Sequence, residues 1–197
     1  LVDINGLSGT VTVDNATGQF TFDPGVAYQE IGLNDQETYS FNYEVEDELG
    51  AAVPGTVAVV VSGVNDTPQA VDDDGIEYRL DQNTSFDTTQ VPGQIPGILN
   101  NDLDIDRTDT PFNHTVFGLD HDNDGLITPL SQLTFPITTP RGADFTLLTD
   151  GSFEYDPTNS TELLELNENE SLTDTMQYVM QDQHGASSNT ATISFTV

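Results

Sequence analysis

Short runs of alternating apolar and polar residues fill this chain and predict strands rather than helices. Up to residue 62 the runs are Leu1–Ile4, Thr10–Val13, Gln19–Phe22, Thr38–Val45 and Thr56–Val61. Phe20/Phe22 and Tyr39/Phe41/Tyr43/Val45 recur at every second position, so each set falls on one face of a pleated strand. Gly18, Asp23-Pro24-Gly25 and Leu49-Gly50 supply turns between them. Beyond residue 75 the runs are Ile76–Leu80, Gln94–Leu99, Thr115–Leu119, Leu133–Thr138, Phe145–Leu148, Ser152–Tyr155, Thr175–Gln181 and Thr190–Val197. Helical period is held only over Ser160–Asn167, for one or two turns at most.

The strand pattern repeats. GQFTFDP (Gly18–Pro24) matches GSFEYDP (Gly151–Pro157), FNYEVEDELG (Phe41–Gly50) matches MQYVMQDQHG (Met176–Gly185), and VAVVV (Val57–Val61) matches TISFT (Thr192–Thr196). This alignment sets Leu1 near the position of Leu133, so the first repeat lacks the equivalents of Asp66 through about Gln132. A partial sandwich leaves apolar faces and sheet edges uncovered. The expectation is that the chain, which starts without Met, is an excised part of something longer; the alternative is completion by strands from a neighbouring chain. The predicted organisation is all-β: residues 1–63 the C-terminal part of one β-sandwich repeat, 64–74 a linker, and 75–197 a complete repeat.

Charge adds the next constraint. Thirty-four Asp and Glu face three Arg (Arg79, Arg107, Arg141) and no Lys, a formal charge of −31. Such a chain repels nucleic acid and anionic headgroups and attracts divalent cations. Without Cys there are no disulfides or thiolate metal sites. No run approaches the ~20 apolar residues of a membrane-spanning helix. The linker GVNDTPQAVDDD (Gly63–Asp74) crowds Asn65, Asp66, Asp72, Asp73 and Asp74 around Pro68, an arrangement of like charges that a cation would quiet.

In order and composition, GQFTFDP, YSFNYEVEDELG, TVAVVVSGVNDTPQAVDDD, GILNNDLDID and DGSFEYDP resemble the VCBS-type, cadherin-like tandem repeats of large bacterial surface adhesins. The resemblance implies tandem Greek-key β-sandwiches of the cadherin/Ig-like kind, the first incomplete at its N-terminus, on an exported protein with calcium between or beside the domains. Arg107 and Thr108 stand where such repeats often carry Gly-Asp, and the Asn113–Gln132 loop is longer than usual.

Calcium takes six to eight oxygen ligands on bendable loops. Two candidate sites follow. Asn65, Asp66, Asp72, Asp73, Asn101, Asp102, Asp104, Asp106 and Asp182 are expected to gather at the linker end of the second repeat. In DHDNDGLI (Asp120–Ile127), Asp120, Asp122 and Asp124 occupy loop positions one, three and five, with Gly125 at six and the Leu126 carbonyl a further ligand; position twelve is Ser131 rather than Glu. An acidic turn without an ion has the same sequence. His114, His121 and His184 belong to no catalytic motif, so no enzyme is expected.

The functional expectation is an extracellular structural or adhesive extender stiffened by Ca2+ at the junction. Its partners would be neighbouring repeats, a cell-surface or matrix glycan or protein, or further copies, with no nucleic acid and no membrane insertion. A carbohydrate- or ligand-binding module using residues 113–132, and a self-assembling filament subunit, are the alternatives.

Overall fold

The computed structural model describes residues 2–3, 7–74, 78–88 and 97–197. Residues 1 and 4, 76–77 and 94–96 of the expected strands lie outside these. The chain forms two compact units, the first of residues 1–66 with 105–108, the second of residues 67–104 with 109–197.

In the first unit β1 (Val2–Asp3), β4 (Gln36–Glu46) and β5 (Ala52–Ser62) make one sheet in the order β1-β4-β5, and β2 (Thr10–Val13) and β3 (Phe20–Asp23) pair as a hairpin. Three apolar side chains of its described residues are buried: Leu7, Ile31 and Phe41. Phe20 meets Phe41 edge-on at 5.3 Å, and Tyr28 lies 4.5 Å from Tyr39.

The second unit is a β-sandwich. One sheet has the order β6-β11-β10-β9, from β6 (Phe86–Asp87), β9 (Ile137–Thr138), β10 (Asp144–Leu147) and β11 (Phe153–Asp156). The other has the order β13-β12-β7-β8, from β7 (Thr115–Asp120), β8 (Thr128–Pro129), β12 (Thr173–Gln181) and β13 (Ala191–Thr196). Alternation builds the core between them: Phe153 and Tyr155 are buried on either side of exposed Glu154, and Ala191, Ile193 and Phe195 point inward from β13. Phe195 stacks on Tyr155 at 4.1 Å and meets Phe153 edge-on at 5.4 Å. Contacts of this kind add ~0.5–1.5 kcal/mol each beyond burial. A bulge interrupts β7 where Gly118 pairs with Val179 and Val116 with Met180, leaving Phe117 unpaired and partly exposed.

Several sequence expectations need correction. Of Leu133–Thr138 only Ile137–Thr138 is strand, because Pro136 offers no N–H to a ladder. Tyr78–Leu80 makes a single parallel bridge, Arg79 to Thr196, and residues 97–100 form a turn. The helix is one turn, α1 (Thr161–Leu164), capped by the Ser160 hydroxyl. The five strands of the first unit have counterparts in β7, β10, β11, β12 and β13 of the second, but the register differs from the sequence alignment. Phe41 faces Val57 as Met176 faces Ile193, and Tyr43 faces Gly55 as Tyr178 faces Ala191, so Val57 corresponds to Ile193 and not to Thr192. One extra residue between Gln181↔Ser187 and Tyr178↔Ala191 accounts for the slip. Likewise Val2 pairs with Tyr43 as Leu119 pairs with Tyr178, placing β1 at the end of β7 rather than near Leu133.

Asp174 on β12 is fully buried in this core and accepts hydrogen bonds from the Thr139 and Tyr155 hydroxyls and from Arg141 N. Burial raises its pKa, and those donors only temper the rise. A carboxylate whose folded pKa lies above its unfolded value costs stability once it ionises. The penalty is absent below the unfolded value and complete above the raised one. Asp174→Asn removes that titration, so its melting temperature relative to the native chain is expected to climb as pH rises from about 4 to neutrality. Thermal melts of both proteins across that range test this; a constant difference would show that Asp174 does not titrate differently in the folded state.

Candidate functional site

The residues from Gln69 to Asp73 are extended but belong to no sheet, and polar side chains complete their backbone bonding. Gln69 and Leu103 exchange both backbone hydrogen bonds, at 2.7 and 2.9 Å. Asn189 brackets Ala70, donating to its carbonyl at 2.9 Å and accepting from its N–H at 3.0 Å. Val71 N donates to Asp102 Oδ1 at 2.8 Å, and Asn101 Nδ2 donates to the Val71 and Asp72 carbonyls. Asp73 joins the edge of β13, its N–H on the Thr192 carbonyl and its carbonyl accepting from Ser194 N, while Asp72 Oδ1 accepts from Thr192 N at 2.8 Å.

At the centre of this arrangement two carboxyl groups are buried, Asp73 and Asp102. The Tyr178 hydroxyl lies 2.9 and 3.1 Å from the two Asp102 oxygens and 3.2 Å from the Val71 and Ile98 carbonyls. Tyr78 OH donates to Asp73 Oδ1, whereas Asp73 Oδ2 is buried and has no hydrogen-bond partner among the described residues. Burial, then repulsion from Asp102, pushes the pKa of Asp73 up to about 8; the Tyr178, Tyr78 and Asn101 side chains offset part of this. Asp102 rises to about 6 through burial, offset in part by Val71 N and Tyr178. Close backbone contact seats the Ile98 segment: Ile98 N donates to the Gly151 carbonyl, and a Cβ at Gly97 would meet that oxygen at 2.1 Å.

The structure therefore brings Asp72, Asp73, Asn101 and Asp102 together around Val71. Asp182 is buried at the β12–β13 turn, where its Oδ1 accepts from His184 N and Ala186 N. Asp47 holds the β4–β5 turn in the same way, accepting from Leu49 N and Ala51 N. Asp104 lies in the second unit, whereas Asn65, Asp66 and Asp106 lie in the first, with Asp66 N donating to Asp106 Oδ2 at 3.0 Å. His184 is an exposed turn residue.

The second candidate is local. Carboxylate oxygens of Asp120, Asp122 and Asp124 lie within 4.8 Å of one another, with Asp120 buried and the other two exposed. Asp120 accepts from Asp124 N and Gly125 N, Asp124 Oδ1 accepts from Leu126 N, and Asn123 and Gly125 take positive φ to turn the loop. Arg107 and Arg141 are engaged elsewhere, on Asp35/Glu37 and Glu162. Three hard oxygen donors on a tight loop fit a divalent cation such as calcium. Tyr178 and Tyr78 went unnoticed in the sequence: a tyrosine at an inward strand position reads as core, and only the fold supplies its acid partner.

The family model for the bacterial cadherin-like domain matches residues 65–197. Comparison with curated proteins found no match. No described helix is long and apolar enough to cross a membrane.

Tyr178→Phe keeps the ring but removes the hydroxyl from buried Asp102. A loss of roughly 1–3 kcal/mol is expected, the cost of an unsatisfied buried polar group, read as a lower midpoint in denaturant melts. An unchanged midpoint would mean that the hydroxyl does not hold the Val71 segment.

Proposed function

The chain belongs to the bacterial cadherin-like domain family, and from that premise we propose that it is a structural or adhesive extender of an extracellular bacterial surface protein, stiffened by calcium. The observation that carries this reading is the convergence of the Asp120, Asp122 and Asp124 carboxylate oxygens within 4.8 Å. Three like charges at that spacing repel one another, and a bound cation reverses the sign of the interaction. Asp120, Asp122 and Asp124 would hold the ion, with the Leu126 carbonyl as a further ligand; calcium supplies charge neutralisation and fixes the loop. The acidic linker sequence around Asn65, Asp66, Asp72 and Asp73 is the second place where calcium uptake would stiffen the chain.

Extracellular modules bind calcium at about 10⁻⁴–10⁻³ M, so the extender would be stiff outside the cell and slacken under a chelator. Binding to the folded state alone raises its stability by about 2.7 kcal/mol when calcium stands a hundredfold above its Kd. The formal charge of −31 makes the effect general as well as local, since divalent ions also screen self-repulsion.

Calorimetric titration with calcium, paired with small-angle scattering before and after chelation, tests the proposal. At least one saturable ion and a longer, narrower particle are expected, and Asp122→Asn should weaken the tightest site by roughly tenfold or more, one of its three carboxylates being lost. No heat and unchanged scattering would leave the acidic surface as solvation only. An ion that survives Asp122→Asn at full affinity would remove this loop from the proposal.

A further inference from the structure

Besides residues 1–66, the first unit contains one short piece from later in the chain, Ile105–Thr108. Arg107 N donates to the Glu30 carbonyl at 3.0 Å, and Asp66 N donates to Asp106 Oδ2 at 3.0 Å. Gly32 admits the close approach of this piece: a Cβ there would meet Thr108 Oγ1 at 3.0 Å and Asp106 Cβ at 3.4 Å. Gly32 is itself backed by Gly63, where a Cβ would collide with the Ile31 and Gly32 carbonyl oxygens at 1.9 and 2.2 Å. Above this backbone seat lies the Arg107 guanidinium, which donates to Glu37 Oε1 through Nη1 and brings Nη2 to 3.6 Å from Asp35 Oδ2.

The charges that surround the guanidinium are of one sign. Glu37 is oriented by the Tyr39 hydroxyl, which donates to its other oxygen, and Glu30 adds its charge from the residue whose carbonyl holds Arg107 N. The Glu37 hydrogen bond, and after it the charges of Glu37, Asp35 and Glu30, hold the Arg107 pKa above its ordinary value. In a chain with three Arg, no Lys and thirty-four acids, one cation thus answers three carboxylates. Without it those three would only repel one another. The Arg107 side chain is 40% exposed, Asp35 38% and Glu37 32%, so dissolved ions reach the pair and screen it.

We propose that Ile105–Thr108 is an electrostatic clasp: Arg107, seated on Glu37 and Asp35, supplies from within the chain the positive charge that this acidic cradle requires, and salt releases it. The segment is flanked in sequence by residues of the second unit, 67–104 and 109–197. Closed, the clasp therefore gives the first unit a hold on chain that lies beyond residue 66. The bonds of Arg107 N to Glu30 and of Asp66 N to Asp106 set where the segment lies, and the guanidinium sets how tightly it is kept. Salt separates this device from the fold around it. Screening relieves the self-repulsion of a chain of charge −31 and so firms the fold, whereas it weakens a half-exposed ion pair. A segment that loosens with salt while its unit holds is the signature of the clasp, which stands independently of calcium at Asp120.

The test uses the full chain in chelator, so that no metal contributes. Trypsin cuts after Arg and Lys, and in a chain without Lys its sites are Arg79, Arg107 and Arg141. A guanidinium held by Glu37 must be freed before it can enter the protease. Cleavage after Arg107, referred to a short arginine peptide in the same buffer, is expected to quicken by roughly fivefold, the upper range for an exposed ion pair, as ionic strength rises from about 0.01 to about 1 M and the screening length falls from about 30 to about 3 Å. Glu37→Gln should give most of that increase at low salt and flatten the salt dependence. In hydrogen exchange the amides of Arg107 and Asp66 should lose protection under both conditions while those of β4 and β5 keep theirs. Three outcomes overturn the proposal. Cleavage that ignores both salt and Glu37→Gln would leave the backbone bonds alone to hold the segment. Cleavage at the rate of the free peptide in low salt would mean that the guanidinium is not held. Loss of protection in β4 and β5 together with Arg107 would mean that salt acts on the whole unit.

Discussion

The extended stretch from Gln69 to Asp73 buries Ala70 and Asp73 without belonging to a sheet, and the second unit depends on how its backbone is satisfied. A buried N–H or carbonyl left unpaired costs about 1–3 kcal/mol, so an extended segment on a core must find partners elsewhere. Here they are the backbones of Leu103, Thr192 and Ser194 and the side chains of Asn101, Asp102, Asn189 and Tyr178. Amides and carboxylates that suggest ligands in the sequence thus act first as substitutes for a missing neighbouring strand. Asp102 illustrates the economy: one oxygen takes both Val71 N and the Tyr178 hydroxyl.

How legible this was depends on the sequence distance over which each interaction acts. Strands with a two-residue alternation, such as Phe153–Asp156 and Ala191–Thr196, stand out because the pattern is local. The two-residue strands Phe86–Asp87 and Thr128–Pro129 carry no periodicity to read. Leu133–Thr138 was apolar enough to look like a strand, but Pro136 sets an edge inside it. The acidic loop at Asp120 was legible because three ligand-type residues and a turn glycine sit within six positions. The pairing of Asp102 with Tyr178 spans 76 positions and left no local trace. Asp174 is the same case: as one acid in a β-branched strand it reads as a solvent-facing residue, and only the fold turns it toward Thr139 and Tyr155.

The internal repeat was legible in order but not in register. Sequence alignment joins the best-matching letters, whereas hydrogen bonding counts residues along the ladder, and one inserted residue between Ser187 and Ala191 shifts every later correspondence. Correcting it changes the physical reading: Val57, Val59 and Val61 face the same side as Ile193, Phe195 and Val197, the inward face of the second unit. A shared pattern specifies which face is apolar; it does not provide the layer that buries it.

The acidic composition raises a last question of how a chain with three arginines tolerates carboxylates in its core. Two of the three cations are spent on the surface, Arg107 with Asp35 and Glu37 and Arg141 with Glu162, and the Arg141 charge is only a minor influence on Asp174. These three buried acids are met by hydroxyls: Tyr78 at Asp73, Tyr178 at Asp102, Thr139 and Tyr155 at Asp174. A hydroxyl donor satisfies an oxygen without itself carrying a charge into the core, and avoids the double desolvation that a buried ion pair requires. Burial still raises all three pKa values, repulsion from Asp102 adds to the rise at Asp73, and the neutral donors offset only part of it. In such a chain protons and divalent cations compete for the same role, the removal of negative charge from positions where the fold supplies no positive one.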